Sequence, residues 1–300
     1  MNKSSLREVQ IKAFETLKKI LKDENSDVIH NEVAILLEYV FGFSKKDLII
    51  KKEEILPREK LEIFNSQLER RTTLEPLAYI TNSKEFFSLD FYVTPDVLIP
   101  RRETELIVEY VLKWFEENTF ESLSIVDIGC GSGAIILSLA FELRKKLPKR
   151  EFEKIFFEGV DISMAACEVA KINRARFELD ENVAITHSDL LSNSTFRNEN
   201  EMIVLSNPPY ISSSEQLPDS VQKFEPELAL RAGEKGLDVY ERIFFEIKPF
   251  YKEKLLRLAL FEIGVEQSEL IQEISTNHDF EALNFVRDFQ GIKRIAVLQP

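Results

Sequence analysis

Glycine is sparse in this 300-residue chain and cysteine sparser: it has 9 Gly, 11 Pro, 2 Cys, 3 Met and 1 Trp. So little glycine and proline excludes collagen-like and low-complexity classes. A content of 44% hydrophobic and 30% charged residues is that of a chain able to bury a core. Cys130 and Cys167 are too few for a disulfide framework and lack zinc-ligand spacing, so no metal is expected. No long apolar run exists either. The longest clean stretch, 134–141, is far short of the roughly 20 residues that span a bilayer, and MNKSSLREVQIKAF has no apolar signal core. Both point to a cytoplasmic protein with no membrane partner. Positive charge is short as well, 39 Lys and Arg against 52 Asp and Glu, a net of −13. Residues 1–80 carry 14 of each sign, so the whole acidic excess lies in 81–300. A surface that lies along a nucleic-acid backbone needs local positive charge, so nucleic acid is disfavoured as a partner. The one basic run, Arg144 to Lys154, reads as a solvated helix end and loop.

Residues 5–70 read as helices. The segments LREVQIKAFETLKKIL, VIHNEVAILLEYVFG and REKLEIFNSQLERR repeat apolar residues at three-and-four spacing, punctuated by Gly42 and Pro57. Short amphipathic helices persist by packing on each other, so 1–75 is expected to be a small all-helical bundle. From Leu77 to Leu98 the period changes. Tyr79-Ile80, Phe86-Phe87 and Leu89 to Val93 predict two extended pieces, a linking β-hairpin within 76–95, with Asn82 as a left-handed turn residue. Residues 96–300 then alternate helices with the apolar runs LSIVDIG, IFFEGVD, NVAITHSD, MIVLSN and LRLALFEIG, and end in EALNFVRD and KRIAVLQ. Continuous apolar strands alternating with helices predict a parallel sheet covered on both faces, a doubly wound α/β domain. Ligands of such a sheet sit at the carboxyl ends of its strands.

Chemistry-bearing residues gather at those ends. The first strand runs into Asp127-Ile128-Gly129-Cys130-Gly131-Ser132-Gly133 and directly into a helix. The spacing is G-x-G-x-G rather than the G-x-G-x-x-G that seats a pyrophosphate, and an acidic residue leads it, which suits a cationic ligand. The second strand ends in Asp161, whose carboxylate can accept both hydroxyls of a ribose. The third ends in Asp189, placed for the exocyclic amine of an adenine, with Leu190 after it. Together these point to S-adenosylmethionine. The fourth strand ends in Ser206-Asn207-Pro208-Pro209-Tyr210. The Asn207 side-chain carbonyl and the Pro208 main-chain carbonyl can each accept one N–H of a substrate NH2. That opposes delocalisation of the nitrogen lone pair and favours the positive charge that develops during methyl transfer. Two prolines hold the acceptors rigid, and Tyr210 can pack flat on a planar amide or base. The motif selects an NH2 on a planar system without saying which. Cys130 reads as a space-filler.

Along nearly its whole length the chain resembles the HemK/PrmC family of release-factor glutamine methyltransferases. The matching segments are PLAYITNSKEF, FYVTPDVLIPRRETELIVEYVL, VDIGCGSGAIILSLA, GVDIS, VLSNPPYI, EPELAL, GLDVYERI and FEIG. The resemblance implies a seven-stranded class I (Rossmann-like) methyltransferase domain behind the helical domain and hairpin. It implies S-adenosylmethionine as cofactor, S-adenosylhomocysteine as product, and methylation of the glutamine of the Gly-Gly-Gln motif in class 1 peptide-chain release factors. By motif, Asp127, Gly129, Cys130, Gly131, Ser132, Gly133, Asp161, Asp189, Leu190 and Asn207 would meet the cofactor. Asn207, Pro208, Pro209 and Tyr210 would hold the glutamine amide, and Arg101, Glu103 and Glu105 would line the cleft. The chain departs from the family's PRPETE in having Arg102, has Asn82 where glycine is common, and has Leu190 in place of an aromatic residue.

Three other readings stand beside this one. An amino-methyltransferase of adenine or guanine in DNA or RNA shares the Asn-Pro-Pro-aromatic motif, but must extract a base and usually carries a basic recognition region. A dinucleotide oxidoreductase needs the longer glycine spacing. A binding subunit with a decayed site has no use for an intact acceptor motif.

Overall fold

The computed structural model describes residues 4–196, 200–280 and 283–300. Contacts divide the chain into two units, 1–82 with 217–224, and 83–216 with 225–300. The first unit holds α1 (Leu6–Ile20), α2 (Ser26–Phe41), the short α3 (Asp47–Ile50), α4 (Arg58–Thr72) and α5 (Leu77–Thr81). Local chemistry sets the boundaries. Ser5 and Glu8 form a reciprocal capping box at the start of α1. Asn25 caps α2, accepting the Val28 N–H, and Gly42 ends it in the left-handed region. Leu6, Leu17, Leu36, Leu37 and Phe64 are buried together. A two-pronged ion pair from Arg71 on α4 to Glu32 on α2, at 2.8 and 3.0 Å, fastens the helices.

The second unit opens with a hairpin, β1 (Lys84–Phe86) and β2 (Leu89–Phe91), paired antiparallel. Leu77–Thr81 is helical, not extended as the sequence suggested, and Asn82 (φ 50°) caps that helix rather than turning the hairpin. The turn falls on Phe87 and Ser88, with φ of 50° and 61°. Then follow α6 (Glu105–Glu117), β3 (Leu123–Ile128), α7 (Ala134–Lys146), α8 (Lys149–Phe152), β4 (Ile155–Asp161), α9 (Met164–Arg176), β5 (Val183–His187) and β6 (Glu201–Ser206). After α10 (Asp219–Phe224), which belongs to the first unit, come α11 (Asp238–Lys252), β7 (Leu256–Glu262), α12 (Ser268–Asn277), β8 (Asn284–Arg287) and β9 (Lys293–Leu298). Glu281 and Ala282, within the expected EALNFVRD strand, lie outside the described residues.

The seven-stranded sheet has the order β5-β4-β3-β6-β7-β9-β8, the class I methyltransferase arrangement. It is mixed rather than all parallel, because β9 runs antiparallel to both neighbours. Only residues 288–292 separate β8 from β9, too few for the crossover a parallel pair requires. Strands β3, β4 and β6 are buried almost throughout, as continuous apolar runs require. Chain progression reverses between β3 and β6, which lie side by side, and that switch point opens a crevice at their carboxyl ends. No helix among the described residues is long and apolar enough to cross a membrane.

A non-glycine residue held at positive φ costs about 1 kcal/mol or more. Ser88→Gly is therefore expected to raise the unfolding midpoint by about 2 °C in calorimetry, and Ser88→Val to lower it.

Candidate active site

Above the switch point lies a cavity of about 370 Å³. Its walls are the segments that leave β3 (Gly129 to Ser132), β4 (Asp161 to Ser163), β5 (Ser188 to Leu190) and β6 (Ser206 to Pro209). Segments 95–98 and 226–231 also line it, with Pro100, Thr104 and, from α11, Val239 and Arg242. Of the residues singled out from sequence, Gly129, Cys130, Gly131, Ser132, Asp161, Asp189, Leu190, Asn207, Pro208 and Pro209 line this one space. Asp127, Gly133, Tyr210, Arg101, Glu103 and Glu105 do not.

The glycine loop is positioned by its backbone. Gly129 and Cys130 N–H both donate to the Val160 carbonyl, at 2.8 and 3.0 Å. Gly133 (φ 81°) is the N-cap of α7, where an added Cβ would come within 2.6 Å of Leu137, so it shapes the loop from outside the cavity. Cys130 packs on Gly159, and burial pushes its thiol well above the usual range, as befits a space-filler. Asp127 is fully buried beneath the loop. One of its oxygens accepts the Ile136 N–H at the start of α7, and the other has no hydrogen-bond partner among the described residues. Burial lifts its carboxyl to about 8. It therefore organises the helix start and does not present an anion to the cavity.

Asp161 does reach the cavity. Its oxygens accept the Gly131 N–H at 2.9 Å and the Ser163 N–H at 2.8 Å, which pins both neighbouring loops. Burial raises its pKa, and the two backbone donors pull the other way. A carboxylate has about four acceptor sites, so capacity remains on the cavity side. Asp189 is exposed and accepts from Arg242 at 2.7 Å. Leu190 is buried with φ 48°.

At the end of β6, Asn207 donates its side-chain NH2 to the Thr104 hydroxyl at 3.2 Å, and Thr104 donates to the buried Glu262 carboxylate at 2.5 Å. The Asn207 amide oxygen is buried and has no hydrogen-bond partner among the described residues. Tyr210 packs against the core rather than lining the cavity, and burial pushes its hydroxyl up to about 12. Its main-chain oxygen accepts from Gln267 at 2.9 Å, and a Cβ on Gly236 would stand 2.1 Å from that oxygen, so only glycine fits there.

The three charged residues expected in the cleft are not among the residues lining this cavity. Arg101 pairs at 2.5 Å with Glu225, a buried acid that also accepts the Ile99 N–H. This latch joins two wall segments. Glu105 accepts the Phe87 N–H and faces a separate, more open hollow with Arg102 and Glu109. Glu103 is half-buried outside the lining. Helix-start charge therefore served local structure at Glu105. Sequence reasoning passed over Thr104, Glu225, Arg242 and Glu262. The last closes β7, and its place at a strand's carboxyl end was the signal that could have found it.

Two family models match the chain, one described as the PrmC N-terminal domain over residues 12–81 and one as N-6 DNA Methylase over 93–235. The chain is 34% identical over 294 residues to a release factor glutamine methyltransferase of Clostridium acetobutylicum, covering 97% of each chain. It is 34% identical to that of Coxiella burnetii over 89% of this chain and 90% of the relative. A bifunctional methyltransferase of Rickettsia typhi is 33% identical over 90% of this chain, which spans only 53% of that relative's length. Among solved structures, the hMettl16 catalytic domain in complex with MAT2A 3'UTR hairpin 6 shares the fold. Its TM-score is 0.54 at 14% identity, with 79% of this chain and 82% of that one covered.

The buried Asp127 has a sign to test. Its folded pKa of about 8 lies above the ordinary carboxylate value of 3.8. Its contribution to stability is thus complete below the unfolded value and is lost as pH rises through the folded one. Asp127→Asn should remove that slope. In urea titrations it should gain at least about 1 kcal/mol on the parent between pH 5 and pH 8.

Proposed function

We propose, from the premise that this chain belongs to the release factor glutamine methyltransferase family, that it methylates the side-chain amide nitrogen of a protein glutamine. The methyl comes from S-adenosylmethionine, and the substrate is the Gly-Gly-Gln loop of a class 1 release factor in the cytoplasm. The observation that carries the reading is the Asn207 amide oxygen. It is buried at the cavity edge and lacks a partner among the described residues, while the NH2 of the same amide is held by Thr104. A buried acceptor left without a donor is costly, and a substrate NH2 is the donor that would satisfy it.

The rest of the cavity fits the cofactor. Asp161 offers its remaining lone pairs to ribose hydroxyls, and the Gly129 to Ser132 loop lets a ligand approach the main chain. Leu190 and Val239 supply apolar faces for a base, with Asp189 beside them. When bound, the cofactor supplies a methyl already activated on a sulfonium. Asn207 Oδ1 and the Pro208 carbonyl hold the two amide protons of the substrate, fix its nitrogen and stabilise the charge that develops there. Pro208 and Pro209 keep the acceptors rigid. Tyr210 anchors the end of the turn through Gln267 and Gly236.

The match to an N-6 DNA Methylase model over 93–235 favours one second reading, methylation of a nucleobase amine. Labelled methyl donor offered with a Gly-Gly-Gln release factor, the same factor with that glutamine changed to alanine, and unmethylated DNA separates the two. Label should appear on the glutamine of the first alone, located by mass spectrometry. Label on DNA would sink the proposal.

Asn207→Ala should lower turnover about 100-fold or more with donor affinity nearly unchanged by calorimetry. Asp161→Ala should weaken donor binding about 10-fold or more, from loss of charge-assisted hydrogen bonds.

A further inference from the structure

Glu262 closes β7 and Asn207 follows β6, so the two stand at neighbouring strand ends, where Ser206 pairs with Phe261. Thr104, at the start of α6, sits between them. The chain Asn207 Nδ2 to Thr104 Oγ1 to Glu262 Oε2 is buried at its last two members, with Thr104 4% and Glu262 3% exposed. Nothing in the methyl-transfer chemistry itself uses Thr104 or Glu262.

Proton counting gives them a task. A hydroxyl has one proton to donate, and an ionised carboxylate only accepts. While Glu262 is ionised it takes the Thr104 proton, so Thr104 can only accept from Asn207. That requires the Asn207 NH2 to face Thr104 and its oxygen to face away. If Glu262 is protonated, it can donate to Thr104 instead, and the freed hydroxyl proton then seeks the Asn207 oxygen. The amide would turn over and set an NH2 against the NH2 of the substrate, donor against donor.

We propose that Glu262 is a positioning residue: acting through the Thr104 hydroxyl, it fixes the Asn207 amide so that oxygen, not nitrogen, meets the substrate. This rests on the reading of Asn207 as the substrate's acceptor. The surroundings make the arrangement sensitive to pH. Burial raises the Glu262 carboxyl to about 7, and Glu103 pushes it the same way. The Thr104 hydrogen bond, Arg294 of β9 and Arg101 oppose that rise. The Tyr210 and Tyr240 hydroxyls are also near, with Tyr240 donating to the Glu262 main-chain oxygen at 2.6 Å.

Two measurements on the full-length protein test this. The first is the single-turnover rate against pH, with donor affinity measured separately. The wild-type rate should rise through about pH 7 as one proton leaves. Thr104→Val should lower it about 10- to 100-fold, abolish the step and leave donor affinity within about 2-fold. Thr104→Ser should keep both rate and step, and Glu262→Gln should be slow and flat. Thr104→Ala carries the same expectation as valine if the valine variant does not fold. The second measurement needs no turnover: the component of the protonated-carboxyl infrared band that titrates near pH 7 should vanish in Glu262→Gln, leaving the Asp127 component near pH 8, and should titrate at higher pH in Thr104→Val. A Thr104→Val enzyme with wild-type rate or wild-type pH step overturns the proposal, as does an unshifted carboxyl band. A wild type that leaves glutamine unmodified while the band behaves as stated refutes the substrate reading instead.

Discussion

A carboxyl group taken out of water has to find donors, and in this protein the donors it finds are the loops around the cavity. Asp161 holds the backbone of both the glycine loop and the turn into α9. Glu225 holds Ile99 and Arg101. Glu262 holds Thr104, and Asp127 holds the first turn of α7. Away from the cavity Glu158, fully buried on β4, gathers Thr186, Ser194 and Thr195 in the same way. The sheet gives four of these acids fixed positions, and Glu225 sits just after α10. Each hydrogen bond then transfers that fixity to an irregular segment that has no ladder of its own. A loop held by a buried acid is specified more sharply than one held by apolar contact alone, because leaving the acid unpaired is costly.

The same constraint decides which carboxyls remain available to a ligand. Asp161 and Asp127 stand at the ends of adjacent paired strands and look alike in sequence, yet only Asp161 meets the cavity. Asp127 lies one layer deeper, and burial moves it toward neutrality at ordinary pH. Asp161 and Asp189 are therefore the strand-end carboxylates that line the cavity, and the acid that leads the glycine motif serves the scaffold.

Much of this was readable from the chain. Continuous, mainly apolar runs ending in Asp161 and Asn207 marked buried strands and their carboxyl ends. Strand direction was not readable for β9, because an apolar run has no polarity and the short 288–292 connection decides it. The Phe87-Ser88 turn escaped because neither residue is a usual left-handed former, whereas Asn82 is one and was used elsewhere. Thr104 and Glu262 escaped for a different reason. They are 158 positions apart, and a hydroxyl meeting a carboxylate leaves no periodic trace in either segment. Ten of the strand-end and motif residues converge on one cavity because topology alone brings strand ends together. The partners that orient them come from packing.

Acceptor chemistry and substrate choice are separable on this account. Two carbonyls facing an NH2 would treat a carboxamide and an aryl amine alike, so the proposed acceptor does not by itself choose between them. What differs between those substrates is the object behind the NH2: a protein loop in one case, a base drawn from a negatively charged strand in the other. The acidic excess of residues 81–300 weakly disfavours the second. Residues 12–81, charge-balanced and matched by a model of their own, are where discrimination is then to be sought. If the proposed function holds, the catalytic unit is a general device for planar NH2 groups. Specificity then comes from whatever delivers the group, so changes in the helical unit should alter the preference for a whole protein while leaving reaction with a short glutamine peptide almost untouched.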